Sequence, residues 1–153
     1  MATKIGTESD FGELVQNLLT LEHDAIAAYE STIERLDSAI YKDQVSEFKS
    51  DHMRHVVELT ALAQRLGVEP PTEGDLKQYL TTGKVALASM MGEQNIMKAM
   101  ATNEDDTVAA YENASTNTVA DAAAIDVFKK ALTDEHKHRA WFKQESHSHT
   151  ARE

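Results

Sequence analysis

A chain of 153 residues can bury the core of one compact domain without help from disulfides or structural zinc. It contains no cysteine, which excludes thiolate zinc sites, iron–sulfur clusters, disulfide redox chemistry and cysteine nucleophiles, leaving carboxylates, imidazoles and Met thioethers as metal donors. The formal charge of −11 argues against nucleic acid as a partner, since a phosphate backbone needs a basic surface, and suits a surface that gathers cations.

Hydrophobic residues make up 41% and charged residues 27%, with alanine, leucine, glutamate and lysine abundant and only two prolines, adjacent at Pro70 and Pro71. That mixture predicts an all-α protein. The N-terminal stretch MATKIGTESDFGEL has no apolar secretion segment, and no run approaches the roughly eighteen apolar residues of a membrane span. The expectation is a cytoplasmic protein with no membrane partner. Residues 1–8 are expected to form an N-terminal tail, 9–144 a helical bundle, and 145–153 a disordered C-terminal tail.

The first helix is predicted from Phe11, Val15, Leu18, Glu22, Ala25, Tyr29, Ile33 and Leu36, which recur in steps of three and four. A cleaner second run follows: Tyr41, Val45, Phe48, His52, His55, Leu59, Leu62 and Leu66, stopped by Gly67 and the two prolines. Residues Glu69 to Glu93 form a long connection with a shorter helix from about Leu76 to Met91. A third helix over about Gln94 to Ala114 turns Met97, Met100, Glu104, Val108 and Tyr111 inward. A fourth, from about Ala122 to Gln144, turns in Ile125, Phe128, Leu132, Glu135, His138 and Phe142. Two short connections demand antiparallel hairpins, and the long one can cross the bundle between them. An up-down-up-down bundle ranks second, because it uses three short loops.

The chain repeats itself. Residues 21–30, LEHDAIAAYE, match 103–112, NEDDTVAAYE, and Asp51-His52-Met53-Arg54-His55 matches Asp134-Glu135-His136-Lys137-His138. Two similar hairpins imply a pseudo-twofold axis.

Glu22, His52, His55, Glu104, Glu135 and His138 are the polar exceptions on the apolar seams. Burying six ionisable groups is costly unless charges are paired or coordinated, and a pair of metal ions would do both. Depth agrees with this reading. Glu22 and His55 are equidistant from a point between Ser38 and Ala39, and Glu104 and His138 from Asp121, so each pair should face across its hairpin. Glu135 lies one turn before His138 on the same face.

This pattern resembles the ferritin-like di-iron superfamily, in particular its rubrerythrin and bacterioferritin branches, over about Ser9 to Gln144. The resemblance implies a ferritin-like four-helix bundle. It makes Glu22 and Glu104 terminal carboxylate ligands, His55 and His138 imidazole ligands, and Glu135 a bridging carboxylate. One position departs: His52 stands where the second bridging Glu is expected, and the neighbouring Asp51 supplies a carboxylate only by reaching around the helix. The implied cofactor is two metal ions, iron first, with zinc, manganese or copper as alternatives, zinc and copper being favoured by the extra imidazole. The implied chemistry is oxidation of iron(II) with dioxygen or peroxide. The rival is a metal-sequestering or stress-associated module with a structural ion. A homodimer is a further expectation from the resemblance.

Other residues carry blander readings. Tyr29 and Tyr111 either fill the core with bonded hydroxyls, or support a ligand or act as redox phenols. Met90, Met91, Met97 and Met100 read as core filler. His23 and His136, about 100° off the seam, read as surface residues, and His147 and His149 belong to the tail.

Overall fold

Helix α1, Phe11–Arg35, begins where Asp10 accepts a hydrogen bond from the Glu13 N–H at 2.9 Å, satisfying one of the orphan donors of the first turn. The coordinates are a computed structural model that describes residues 4–72, 75–76 and 92–151. Ser38 caps α2, Ala39–Leu66, by accepting from the Tyr41 N–H at 3.2 Å. Gly67 ends α2 in the left-handed region at φ 69°, and the Val68 N–H donates back to the Ala63 carbonyl at 3.0 Å. Helices α3, Glu93–Ser115, and α4, Ala122–Ala151, complete an all-α four-helix bundle, with no strand among the described residues. None of the described helices is long and apolar enough to cross a membrane.

Helix α1 packs most closely against α2, and α3 against α4, while α1–α3 and α2–α4 contacts close the other two sides. Side-chain pairs give the sense of those sides. Glu22 meets Tyr111 and Tyr29 meets Glu104, so α1 and α3 run oppositely; Asp51 meets His138 and His55 meets Asp134, so α2 and α4 do too. The shorter helix predicted from Leu76 to Met91, with Met90 and Met91, lies outside the described residues except for Leu76.

The predicted stripe of α2 is buried from Tyr41 to Leu62, with Leu66 half-buried, and all five inward residues of α3 are buried. On α1 the buried face is wider than one stripe, taking in Leu14, Leu19, Ala28 and Thr32. On α4 the small residues Ala124 and Ala131 are buried, and Ile125 and Leu132 only half-buried. The apolar core falls into two clusters. One surrounds Leu18, Leu59 and Phe128, and the other Val45, Met97, Met100 and Phe142.

Described residues near both ends of the chain make contacts with the bundle. Asn117 donates through its side-chain amide to the carbonyls of Gly6 and Glu8, both at 2.9 Å. A Cβ at Gly6 would lie 2.4 Å from the Ala110 carbonyl oxygen, so only glycine lets this segment approach α3. Helix α4 continues to Ala151, past Gln144 where the sequence placed its end. No Gly or Pro interrupts residues 122–151, Ser146 is buried, and Tyr41 donates to Glu145 at 2.9 Å.

Candidate metal centre

Each helix contributes to the polar cluster at the turn its periodicity dictates: Glu22 from α1, His52 and His55 from α2, Glu104 from α3, Glu135 and His138 from α4. All six are at most 2% exposed. They form two overlapping groups, Glu22/His52/His55/Glu135 and His52/Glu104/Glu135/His138, in each of which one ligand atom per residue lies within 4.8 Å of the others. His52 and Glu135 belong to both. Among the described residues, these buried carboxylates and imidazoles could hold a metal ion within the bundle.

The two groups are bonded differently. In the first, Glu22 is saturated: it binds His52 Nδ1 at 2.8 Å and His55 Nδ1 at 3.2 Å, and accepts from the Tyr111 hydroxyl at 2.8 Å. In the second, His52 Nε2, Glu104 Oε2 and His138 Nδ1 are buried without a hydrogen-bond partner, and so are both oxygens of the shared Glu135, of which Oε1 lies 3.5 Å from His52 Nδ1 and from His55 Nδ1 and Oε2 lies 3.5 Å from His138 Nδ1. An unmet buried polar group costs about 1–3 kcal/mol, more when charged, so five in one cluster are expensive. A cation among them would satisfy all five, and on that ground the donor set fits a metal.

Outside the cluster each terminal imidazole is held by a carboxylate from the facing helix. His55 Nε2 lies 2.8 Å from Asp134 Oδ2, and His138 Nε2 lies 2.8 Å from Asp51 Oδ2. These bonds fix which nitrogen each ring presents inward, Nδ1 in both. Arg54 in turn pairs with Asp134, and Lys137 lies 3.3 Å from Asp51. Asp51 therefore supports a ring from behind and does not enter the cluster; His52 does. Tyr29 donates to Glu104 on α3 as Tyr111 does to Glu22 on α1. His136 is exposed as expected, whereas His23 is half-buried.

Sequence reading missed the roles of Asp51 and Asp134. The available signal was the Asp four residues before the last His in both doublets. On a helix that spacing returns to nearly the same face, slightly to one side, where a short carboxylate reaches the facing helix.

Protonation follows the same asymmetry. Burial alone would raise Glu22, but the charges and hydrogen bonds of His52 and His55 outweigh it and hold the carboxyl down at about 2. Burial opposes the charge on His52, yet the surrounding carboxylates of Glu135, Glu22 and Glu104 push it well above the usual imidazole range. His55 is raised by Glu22 and Asp134 against burial in the same way. Burial and the charge of His52 bring His138 down to about 4, so at neutral pH its inward nitrogen keeps a free lone pair. Glu135 is raised well above an ordinary carboxyl, chiefly by burial. Burial and nearby carboxylates also raise both tyrosines, which stay protonated donors.

No curated protein and no solved structure matches the chain significantly. One family model does, described as "Domain of unknown function (DUF2383)", over residues 11–117. The match takes in Glu22, His52, His55 and Glu104 and ends before α4, which carries Glu135 and His138. Spanning most of the chain, it shows that this protein belongs to the DUF2383 family.

Proposed function

We propose that this protein is a ferritin-like bundle holding a pair of divalent transition-metal ions, iron first among them, and that it oxidises bound iron(II) with dioxygen or peroxide. The observation that carries the reading is the five partnerless donor atoms of His52, Glu104, Glu135 and His138, which lie beside a second group sharing two of those residues. The antiparallel pairing of α1 with α3 and of α2 with α4 agrees with two hairpins joined by a long crossover.

Two adjacent redox ions would supply electron transfer to an oxidant, and carboxylates favour the oxidised state. The chain's own residues hold that chemistry in place. Glu22, Glu104 and Glu135 supply negative charge, while His55 and His138, oriented by Asp134 and Asp51, set the geometry. Tyr29 and Tyr111 fix the carboxylates of Glu104 and Glu22. A surface cavity of about 340 Å³, lined by Arg54, His55, Glu58 and Asp134 among others, brings solvent close to His55.

A second reading is favoured by the complete burial of the cluster and by His52. Closed sites rich in imidazole suit a structural ion such as zinc. Aerobic addition of iron(II), followed by absorbance and oxygen uptake, separates the two. Oxidation several-fold above the buffer rate, lost in Glu135→Ala, is expected from an oxidase. A rate equal to buffer with an ion retained would leave the structural reading.

A further inference from the structure

Resting on the metal-centre reading, we infer that the two halves of the cluster fill in order: the first ion enters His52, Glu104, Glu135 and His138, while Glu22 serves as the carboxylate behind His52 and not as a ligand.

Spacing separates the halves. Four donors around one ion with bonds of about 2.1 Å stand about 3.4 Å apart in a tetrahedron. In the second half His138 Nδ1 lies 3.5 Å from Glu135 Oε2, and His52 Nε2 lies 3.8 Å from Glu104 Oε1. Those separations leave room for an ion. In the first half His52 Nδ1 and His55 Nδ1 each lie a similar 3.5 Å from Glu135 Oε1, but Glu22 Oε2 and His52 Nδ1 are 2.8 Å apart, a hydrogen-bond distance with a proton between them and no space for a metal. Glu22 also engages His55 Nδ1 at 3.2 Å, so an ion there must first break two hydrogen bonds.

His52 joins the halves by its two faces. Its Nδ1 donates to Glu22 and its Nε2, buried and partnerless, points to Glu104. This is the arrangement in which a carboxylate fixes the tautomer of a ligating imidazole. His138 is fixed likewise, its Nε2 bonded to Asp51 and its Nδ1 free. Both imidazoles of this half thus have one nitrogen tied back and the other without a hydrogen-bond partner. His55 has both nitrogens engaged, with Glu22 and Asp134.

Titration of the metal-free full-length protein with cobalt(II), followed by visible spectroscopy and calorimetry, tests the order. One equivalent should bind at least tenfold more tightly than the second and give the intense bands of a four-coordinate ion. Glu22→Gln keeps a hydrogen-bond acceptor for His52 and should weaken the first equivalent by no more than about tenfold, whereas Glu104→Gln should weaken it at least a hundredfold. His55→Gln and His138→Gln repeat the comparison on the imidazoles, with circular dichroism reporting the helices of all four variants. Loss of the first equivalent in Glu22→Gln as complete as in Glu104→Gln, or entry of two ions in a single step, would overturn the order. Failure of the unaltered protein to bind cobalt at all would instead remove the metal-centre reading.

Discussion

The doublets Asp51-His52-x-x-His55 on α2 and Asp134-Glu135-x-x-His138 on α4 share a frame and differ at one position. Each Asp steadies the last His of the other doublet at 2.8 Å, and the cation one residue before that His, Arg54 or Lys137, pairs with the Asp of the other helix. At the inward position α2 places His52 and α4 places Glu135. His52 brings a proton and bonds Glu22 on the α1 side of the cluster. Glu135 brings two oxygens without a hydrogen-bond partner, one 3.5 Å from His52 Nδ1 and His55 Nδ1 and the other 3.5 Å from His138 Nδ1. One position thus makes the two halves of a repeated frame unequal.

The largest effect is expected at the residue shared by both groups. Glu135→Ala removes a donor from each, and metal content measured by mass spectrometry after dialysis should fall to background. Full stoichiometry in that variant would show that the cluster is not the binding site. The supporting aspartates sharpen the comparison at a smaller scale. Loss of such a partner weakens metal affinity about 10–100-fold. Asp51→Asn, acting through His138, should weaken the first ion by that range, and Asp134→Asn, acting through His55, should spare it. Equal effects on the first binding step would erase the distinction between the halves.

Protons probe the same contrast in the metal-free protein. His138, held at about 4, is neutral when folded but protonates below its ordinary value of 6.5 when unfolded, so stability falls as pH drops from 6.5 toward 4. Glu22, held at about 2, gives a contribution that is complete above 4.5 and lost on further acidification. His52 and His55 are raised, so their contribution is complete below 6.5 and lost as pH climbs through their folded values. Glu135, also raised, works against His138, its contribution being complete below 4.5 and lost as pH climbs through its folded value, so thermal melts read the His138 limb by comparing the unaltered protein with a variant. His138→Gln should flatten the limb between 6.5 and 4 by on the order of 3 kcal/mol at most. The same pH dependence between 6.5 and 4 with and without His138 would contradict this assignment.

Helical period alone brought most of the cluster into view. The narrow stripe of α2 was legible because charged and small polar residues flank it, so His52 and His55 stand out among Phe48, Leu59 and Leu62. The wider buried face of α1 was not, because burial there extends past the seam to Leu14, Leu19, Ala28 and Thr32. Reciprocity across the bundle was also hidden. Tyr29 serves Glu104 and Tyr111 serves Glu22, pairs 75 and 89 positions apart that no local period links. The aspartates sit beside the seam, and only the approach of α2 to α4 turns them into partners of the opposite imidazoles. The extension of α4 to Ala151 escaped notice because a polar, His-rich end looks like a tail, although nothing in it breaks a helix.

On the proposed reading, the polar layer between the two apolar clusters is built around metal. Crystals grown with one equivalent of zinc(II), measured on both sides of the zinc absorption edge, test it most directly. One strong anomalous peak is expected among His52, Glu104, Glu135 and His138. Peaks confined to His147 or other surface histidines and carboxylates, with the buried cluster empty, would contradict it.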